Sequence, residues 1–203
     1  MKVAIIGATG LIGNAVATLL NEKGHEIVRV SRHSQPSVDI NDPASIGAFY
    51  TTIGEVDAII YTAAGTLSYS TVSELTDEGI RLDINSKLLG QVNLVRRGLT
   101  HVRPGGVFIL TGGIFFYNPW PQSSVITLVS GGLEGFVRGA ALDLKDTYRI
   151  VIVHPPAVRE WAIKIGMDGS PFPPAATVAE AYLTALEGKM TGQPIFVEGY
   201  RPS

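Results

Sequence analysis

The stretch VAIIGATGLIG, residues 3–13, decides the fold of this chain. Its apolar beginning is typical of a short buried strand, and Gly7, Gly10 and Gly13 follow it at G-x-x-G-x-x-G spacing. Glycines at a strand-to-helix turn let the backbone bend tightly and let a phosphate group approach the N–H groups of the helix N-terminus. The stretch therefore predicts a strand, a phosphate-binding turn and the beginning of a helix.

Short apolar runs alternate with amphipathic helical stretches along the whole chain. The runs that predict strands lie at 3–6, 26–30, 56–61, 106–110, 149–153 and 194–197. Such alternation indicates a parallel sheet covered by helices, and right-handed crossovers make a doubly wound arrangement the natural one. We expect an α/β, single-domain Rossmann fold over residues 1–203, with a seven-stranded parallel sheet in the order 3-2-1-4-5-6-7 and helices on both faces.

Capping patterns predict where two of the helices begin. Asp42 followed by Pro43 is typical of an N-cap and a first helical residue. Thr177 and Glu180 have the spacing of a capping box, which predicts that a helix begins there. The irregular segment 155–174 is rich in proline, and we expect it to form a lid over the neighbouring residues.

The composition limits the classes of protein to which the chain can belong. The chain has no cysteine, which excludes disulfides and thiolate metal sites, and its four histidines show no metal-ligand spacing. A net charge of −2 gives no sign of a nucleic-acid or membrane partner. The apolar run at the N-terminus is too short for a signal peptide or a membrane helix. We therefore expect a soluble cytoplasmic protein without a metal site.

The pair of residues that directly follows the second predicted strand indicates which nucleotide the turn binds. An acidic residue at that place would take the ribose hydroxyls of NAD(H), but Glu26 stands at the opposite end of the strand. Ser31 and Arg32 follow the strand instead, and a hydroxyl beside a planar guanidinium suits a 2′-phosphate. The pattern favours NADP(H) over NAD(H); the alternative is that Arg32 is a solvated loop charge.

The chain resembles the short-chain dehydrogenase/reductase family over essentially its full length. The resemblance rests on GATGLIG at 7–13, SRHS at 31–34, Asp39-Ile40, TAAG at 62–65, Asn85 and HPPAV at 154–158. It implies a nicotinamide cofactor whose adenine contacts Asp39-Ile40, whose ribose is lined by TAAG and whose nicotinamide ring lies near Pro155. The expected cofactor-binding residues are Gly7, Thr9, Gly10, Leu11, Ile12, Gly13, Ser31, Arg32, Asp39, Ile40, Ala63, Ala64, Gly65 and Pro155.

In the family that the chain resembles, the helix after the fifth strand carries a catalytic Tyr-x-x-x-Lys pair. There the lysine lowers the tyrosine pKa, so that the phenol exchanges a proton with a carbonyl or an alcohol. Placed in register on ITLVSGGLEG, residues 126–135, the tyrosine position holds Ile126 and the lysine position holds Ser130. The position of the family's catalytic serine falls near Gly113. The resemblance therefore implies a divergent subgroup that lacks the standard catalytic residues.

Three residues are candidates for the missing catalytic groups. Thr111 is a candidate for orienting a carbonyl oxygen, with capping of the strand end as the alternative. Tyr117 is a candidate proton donor, with an apolar pocket wall as the alternative. Asn85 matches the family's asparagine that holds a water in the proton relay. Lys87 stands two residues from Asn85, and we expect it to point to another side of the helix, into solvent, with a catalytic role as the alternative.

The predicted helix over 125–144 is unusually rich in glycine between Gly131 and Gly139. Each glycine costs about 1 kcal/mol relative to alanine in a helix interior, so a close helix contact, within the chain or between subunits, must offset that cost. In the resembling family, two long helices that match 76–99 and 125–144 build the subunit interface. We expect a homodimer or homotetramer formed through these helices.

Three functions are compatible with the sequence. The first is an NADP(H)-dependent oxidoreductase with a non-standard proton donor, acting on a small carbonyl or alcohol. FFYNPW at 115–120 and Trp161 would make its pocket apolar. The second is a non-catalytic NADP(H)-binding sensor that acts through a partner protein. The third, a structural subunit without nucleotide binding, is disfavoured by the intact glycine turn and Arg32.

Overall fold

The computed structural model describes residues 1–63 and 69–202. Its strands are β1 (Lys2–Ile6), β2 (Glu26–Val30), β3 (Val56–Tyr61), β4 (Val102–Thr111), β5 (Arg149–His154) and β6 (Pro194–Phe196). Its helices are α1 (Leu11–Glu22), α2 (Pro43–Ile53), α3 (Asp77–Asp83), α4 (Gly90–Gly98), α5 (Ser124–Leu144), α6 (Arg159–Lys164) and α7 (Ala175–Glu187). A π-helical segment, Ile84–Leu89, joins α3 to α4. Ala64 and Gly65, which the resemblance assigns to the cofactor, lie outside the described residues.

The strands form one parallel sheet in the order β2-β1-β3-β4-β5-β6. The parallel α/β Rossmann arrangement is therefore confirmed. Within the described residues the sheet has six strands, so the prediction of seven is wrong. The strand that is absent from the order 3-2-1-4-5-6-7 is the edge strand that would lie outside β2.

The missing edge strand is reduced to a single parallel bridge between Ser31 and Ser37. Pro36 has no N–H to donate to a strand ladder. The Ser34 hydroxyl accepts from Ser31 N at 2.7 Å and donates to the Pro36 carbonyl at 2.6 Å. These local side-chain bonds compete with strand pairing, so the segment after β2 turns instead of extending.

Alternate strand residues face two different helical layers. In β4, Phe108 and Leu110 pack in the core beneath α2, α4 and α5, whereas Val107 and Ile109 pack in the core beneath α1 and α7. Helices therefore cover both faces of the sheet, as the sequence predicts. The same alternation fixes the side to which the last residue of each strand points.

The helices α2 and α7 begin with different caps. The N-terminus of α2 is capped at Asp42-Pro43, as predicted. The Thr177–Glu180 capping box is wrong, because α7 already begins at Ala175. The Glu160 carboxylate of α6 accepts from Ala175 N at 3.1 Å and replaces a local cap. Since α6 lies within the segment 155–174, that segment is helical in part and not irregular throughout.

Two glycines of α5 allow close packing within the chain. A Cβ on Gly131 would lie 2.7 Å from the Phe116 ring, and a Cβ on Gly132 would lie 3.3 Å from a Leu88 methyl group.

By length and composition, α5 is the one helix among the described residues that could cross a membrane, but 44% of the apolar window is buried in this fold. Its burial against the sheet is that of a core helix.

Candidate cofactor and active site

The glycine turn is closed against the end of β3. Gly7 has a φ of +90°, and a Cβ there would lie 2.4 Å from the Ala63 backbone nitrogen. A Cβ on Gly13 would lie 2.1 Å from the Gly7 carbonyl oxygen and 2.5 Å from the Thr62 hydroxyl oxygen. Larger residues cannot occupy either position without moving the backbone. The structure thus brings Gly7, Gly13 and Ala63 together.

The exposed side of the turn is formed by Thr9, Gly10 and Leu11, with Ile12 half-buried behind them. Gly10 is the N-cap of α1, and its N–H donates to the Gly7 carbonyl at 3.0 Å. The strand order reverses at this place, because β2 and β3 flank β1. Ligands of doubly wound sheets bind at such points, outside the carboxyl ends of the strands. The exposed N-terminus of α1 is suited to binding a pyrophosphate.

Two arginines border the turn from β2. Arg32 is exposed and Ser31 is half-buried, and both follow the carboxyl end of the strand. Arg29 is a residue that the sequence analysis missed, and its Nη1 donates to Asn14 Oδ1 of α1 at 3.0 Å. It lies in register with Ile5, whose side chain packs in the α1 and α7 core. Strand alternation was therefore the signal that could have placed Arg29 on the α1 side of the sheet.

The other predicted cofactor residues are held by the loops. Asp39 Oδ1 accepts from Asn41 N at 3.0 Å, so this carboxylate stabilises its own turn. Ile40 lies against Gly90 of α4, where a Cβ would be 3.2 Å from the isoleucine side chain. Pro155 is buried, and its carbonyl accepts a backbone N–H from the loop after β4 at 3.1 Å. These contacts make the three residues part of the loop framework around the sheet.

Thr111, a predicted catalytic candidate, points toward α7. Its hydroxyl donates to the Tyr61 carbonyl and lies 2.7 Å from the Tyr182 hydroxyl. Strand alternation explains this orientation, because Val107 and Ile109 face the same helix layer. These bonds hold the Thr111 hydroxyl in place, and its catalytic role stays a prediction.

Tyr117, another candidate, belongs to a polar cluster that we call the Glu134 cluster, formed by Tyr117, Glu134, Arg138 and His154. The Tyr117 hydroxyl donates to Glu134 Oε2 at 2.5 Å, and Arg138 Nη2 donates to Glu134 Oε1 at 2.6 Å. His154 is fully buried and its Nε2 lies 3.2 Å from Glu134 Oε2, an electrostatic contact without hydrogen-bond alignment. Its Nδ1 lies 3.1 Å from Gly113 N. The cluster joins the loop after β4 to α5 and to the end of β5.

Burial and hydrogen bonds set the protonation of the Glu134 cluster. Burial, together with the bond to Glu134, raises the pKa of Tyr117 to about 12. Burial alone would raise the pKa of Glu134, but the bonds from Tyr117 and Arg138 hold it below its ordinary value. Burial lowers the pKa of His154 more than its contacts with Gly113 and Glu134 raise it. Tyr117 is therefore a poor proton donor at neutral pH, and the cluster is suited to fixing the loop.

Asn85 and Lys87 lie in the π-helical segment between α3 and α4. Asn85 is exposed and Lys87 is half-buried, which corrects the expectation of a solvated lysine. Burial lowers the pKa of Lys87 to about 8, and the charge of Asp83 opposes that shift. The π-helical turn, a feature that is frequent at functional sites, could not be read from the apolar periodicity.

The positions of the missing catalytic pair are filled by buried side chains. Ile126 is 5% exposed and Ser130 is 3% exposed. The Ser130 hydroxyl oxygen would lie 3.5 Å from a Cβ on Gly113, so a hydroxyl from α5 approaches the place where the family carries its serine. Within residues 1–63 and 69–202, no three His, Asp or Glu side chains are grouped to hold a metal ion.

A cavity of about 320 Å³ lies at the carboxyl ends of β4 and β5. Its walls include Ile114, Trp120, Pro156, Phe172, Tyr200 and Arg201. Its lining also includes Asn118 and is polar in part, so an apolar substrate pocket beside FFYNPW stays a prediction. Trp161, which was expected to contribute, packs against the α1 and α7 core instead.

Comparisons with known proteins extend over the whole chain. Residues 3–110, more than half of the chain, match the NAD dependent epimerase/dehydratase family. The protein lin1944 from Listeria innocua is 36% identical, with a TM-score of 0.89 over 97% of this chain and 99% of that one. A small-chain dehydrogenase in complex with NADPH is 24% identical, with a TM-score of 0.87 over 98% of this chain and 97% of that one. Carbonyl reductase family member 4 of Danio rerio is 25% identical over 96% of this chain and 95% of its own length.

The family match and the geometry agree. The matched residues run from β1 to β4 and include the glycine turn, Arg29 and Arg32. The chain therefore belongs to the NAD dependent epimerase/dehydratase family and is a short-chain dehydrogenase/reductase.

Proposed function

We propose that this protein is an NADP(H)-dependent oxidoreductase that acts on a small apolar carbonyl or alcohol without the family's standard proton donor. The observation that carries the proposal is the glycine turn, where Gly7 and Gly13 let the backbone pack closely against the end of β3 and the exposed Gly10 caps the N-terminus of α1. Its relatives support it, since one similar structure holds NADPH and the Danio rerio relative is named a carbonyl reductase. When bound, the nicotinamide supplies the hydride, and the protein supplies binding, orientation and proton transfer.

The preference for NADP(H) is supported by the groups around the end of β2. Arg32 is exposed beside Ser31, and Arg29 is bonded to α1 next to the turn. A guanidinium can bind a phosphate through two parallel hydrogen bonds. The Glu26 carboxylate, which would favour ribose hydroxyls, is exposed at the opposite end of β2.

The cavity supports a small apolar substrate. Its aromatic walls include Trp120 and Phe172, whose ring centroids lie 6.1 Å apart. Pro156 follows directly on Pro155, which the family resemblance places near the nicotinamide ring. Apolar walls exclude water from a reacting carbonyl and bind a hydrocarbon substituent by removing it from solvent.

A non-catalytic NADP(H) sensor is the second candidate function. The sensor is favoured because the hydroxyl groups of Thr111 and Tyr117 are hydrogen-bonded to other protein groups instead of being free for a substrate. Ile126 at the tyrosine position supplies no proton. Such a sensor would bind the cofactor at the same turn and signal its presence through a partner protein.

Cofactor titration followed by a turnover assay tests the proposed function. We expect NADPH to bind at least about tenfold more tightly than NADH, because a hydrogen bond to a charged group contributes about 1.5–3 kcal/mol. Protein fluorescence measures both affinities. The NADPH-loaded protein is then given a panel of aldehydes and ketones, and we expect the absorbance of the reduced nicotinamide to fall with at least one of them.

The controls separate the parts of this proposal. Arg32→Ala should weaken NADPH binding and leave NADH binding unchanged, whereas Arg96→Ala, on an exposed position of α4, should change neither. Equal affinity of the wild type for both cofactors would contradict the role of Arg32. NADPH binding without turnover on any substrate would favour the sensor, and binding of neither cofactor would overturn both functions.

We also propose that the protein forms a homodimer or homotetramer through α5 and the helices α3 and α4. Leu128 and Leu142 of α5 are 55% and 74% exposed. A Cβ on Gly135 or Gly139 would meet no described atom within 4 Å, although both glycines weaken the helix. These four residues step along α5 at spacings near one or two helical turns, so they form one apolar stripe. A second copy is suited to covering that stripe, with its backbone close to the two glycines.

Leu142→Arg is expected to dissociate the oligomer, because the substitution places a charge in an apolar contact. Light scattering after size exclusion measures the mass. Val72→Arg is the matched control, since Val72 is 77% exposed and lies outside these helices. A wild-type protein with the mass of one chain would contradict the proposed interface.

A further inference from the structure

A second cavity, of about 390 Å³, lies next to the cavity at the carboxyl ends of β4 and β5. Its walls come from residues 70–72, which follow β3, and from the segment 119–127, which leads into α5. We call this space the side cavity and the cavity of about 320 Å³ the substrate cavity. Among the described residues, Trp120 is the one that lines both, so it stands between the two spaces.

The indole ring of Trp120 belongs to a row of four aromatic rings. Its centroid lies 6.1 Å from that of Phe172, and because Phe172 also lines the substrate cavity, this contact places the ring itself at that cavity. On its other side, the indole ring meets Phe115 edge to face at 5.0 Å. Phe115 in turn meets Tyr69 at 6.4 Å, and Tyr69 directly precedes the wall of the side cavity. Such edge-to-face and tilted contacts are favourable for aromatic pairs, so the row fixes the indole ring in place.

The main chain at Trp120 is held without the help of its ring. Trp120 N donates to Ser123 Oγ at 3.0 Å, and the Ser123 hydroxyl donates to the Trp120 carbonyl at 2.7 Å. Ser123 is 1% exposed, whereas Trp120 is 37% exposed. A shorter side chain at position 120 would therefore leave the loop in place and remove only the ring between the cavities.

The volumes of the two cavities show what the ring controls. Pockets that hold small molecules measure about 300–1,000 Å³. Each cavity alone lies close to the lower end of that range, whereas the two spaces joined would lie well inside it. The indole ring thus limits the room that a ligand of the substrate cavity can use.

We propose that Trp120 sets the upper size of the substrate by separating the substrate cavity from the side cavity, an inference that rests on the proposed oxidoreductase function. A carbonyl compound with a compact apolar substituent fits beside Phe172. A larger substituent meets the indole ring and is excluded by steric overlap, which is a common way to reject a competing ligand. Without the ring, the same substituent extends toward residues 70–72.

Turnover of two ketones of different size tests this role. Trp120→Ala should raise the ratio of kcat/KM for benzophenone to that for acetophenone at least about tenfold, because even one methylene in an apolar pocket changes kcat/KM by about 10- to 200-fold. Trp120→Phe keeps a smaller ring, so its ratio should lie between those of the wild type and Trp120→Ala. A folding defect would lower the turnover of both ketones and leave their ratio unchanged.

Met190→Ala is the matched control for the loss of an apolar side chain. Met190 is 38% exposed, nearly the same as Trp120, and lies between α7 and β6 outside the walls of both cavities. Its ratio of the two kcat/KM values should equal that of the wild type.

Calorimetry of ketone binding to the free protein needs neither cofactor nor turnover. Trp120→Ala should bind benzophenone at least about tenfold more tightly than the wild type does, whereas the acetophenone affinity should stay within about threefold. This difference between the two ketones would not arise if Trp120 only stabilised the loop.

The outcomes separate this inference from the proposed function. A wild-type protein that binds NADPH but reduces no carbonyl compound overturns the oxidoreductase function, and the calorimetric comparison still decides whether the ring separates the cavities. An active Trp120→Ala with the wild-type ratio and the wild-type benzophenone affinity overturns the role of Trp120 and leaves the oxidoreductase function standing. An equal rise of the ratio in Met190→Ala also overturns it.

Discussion

Gly13→Ala is expected to weaken NADPH binding by at least about a hundredfold, which corresponds to about 2.7 kcal/mol. The added Cβ would lie 2.1 Å from the Gly7 carbonyl oxygen and 2.5 Å from the Thr62 hydroxyl oxygen. Because the Gly7 carbonyl belongs to the turn itself, α1 must move away from the place where it would face the pyrophosphate. We also expect the free energy of unfolding to fall by about 1–3 kcal/mol, as in other overpacked sites. Fluorescence titration and denaturant unfolding measure the two effects.

Gly47→Ala is the matched control for this substitution. Gly47 lies in the interior of α2, and a Cβ there would meet no described atom within 4 Å. Alanine is favoured over glycine in a helix interior by up to about 1 kcal/mol, so this variant should be as stable as the wild type or more stable. Its NADPH affinity should not change. If Gly13→Ala bound NADPH as tightly as the wild type, the glycine turn would not be the cofactor site.

The parallel sheet and the glycine turn are predictable from sequence because their signals are local. The apolar run before Gly7 and the glycine spacing after it lie within one short stretch, and the same β-α alternation continues along the chain. The edge strand was not predictable in this way. Its loss depends on Pro36 and on the Ser34 hydroxyl, whose hydrogen bonds turn the segment after β2. The strand propensity of single residues does not predict such side-chain hydrogen bonds.

The candidate site is less predictable, since its contacts join residues that are distant in the chain. The orientation of Thr111 follows from strand alternation, but only once the extent of β4 is known. Glu134 contacts His154 because α5 packs on β5. The spacing of these two residues in the sequence does not predict the contact. The partial burial of Lys87 depends on a π-helical segment, which disturbs the helical periodicity from which its exposure was inferred.

Glu134→Ala is expected to lower the free energy of unfolding by about 1–3 kcal/mol, because it removes hydrogen bonds to a buried carboxylate, while the exposed Arg138 side chain returns to solvent. The Glu134 side chain is 4% exposed and accepts from Tyr117 and Arg138. Without it, the buried His154 loses its acidic partner and the loop after β4 loses its bond to α5. Denaturant unfolding followed by circular dichroism measures the change.

Two variants separate the charge of Glu134 from its packing. Glu134→Gln keeps the size and an acceptor for Tyr117 but loses the charge that holds Arg138, so its stability should lie between the wild type and Glu134→Ala. Glu180→Ala, on an exposed position of α7, should change the free energy of unfolding by less than about 0.5 kcal/mol. A loss of stability in Glu180→Ala equal to that in Glu134→Ala would show that burial of the cluster is not the cause.

The pH dependence of stability gives the same cluster a second test. The pKa of Glu134 is lowered in the folded protein, so its contribution is fully present above about pH 4.3 and is lost as the pH falls through the folded pKa. The pKa of His154 is also lowered by burial, so the unfolded chain binds a proton more readily and stability falls below about pH 6.5. We therefore expect the wild type to lose stability on acidification, and its advantage over Glu134→Ala to shrink only below about pH 4.3, where Glu134 of the unfolded chain takes up its proton. An advantage that stayed constant from neutral to acid pH would mean that Glu134 stabilises the fold by packing alone.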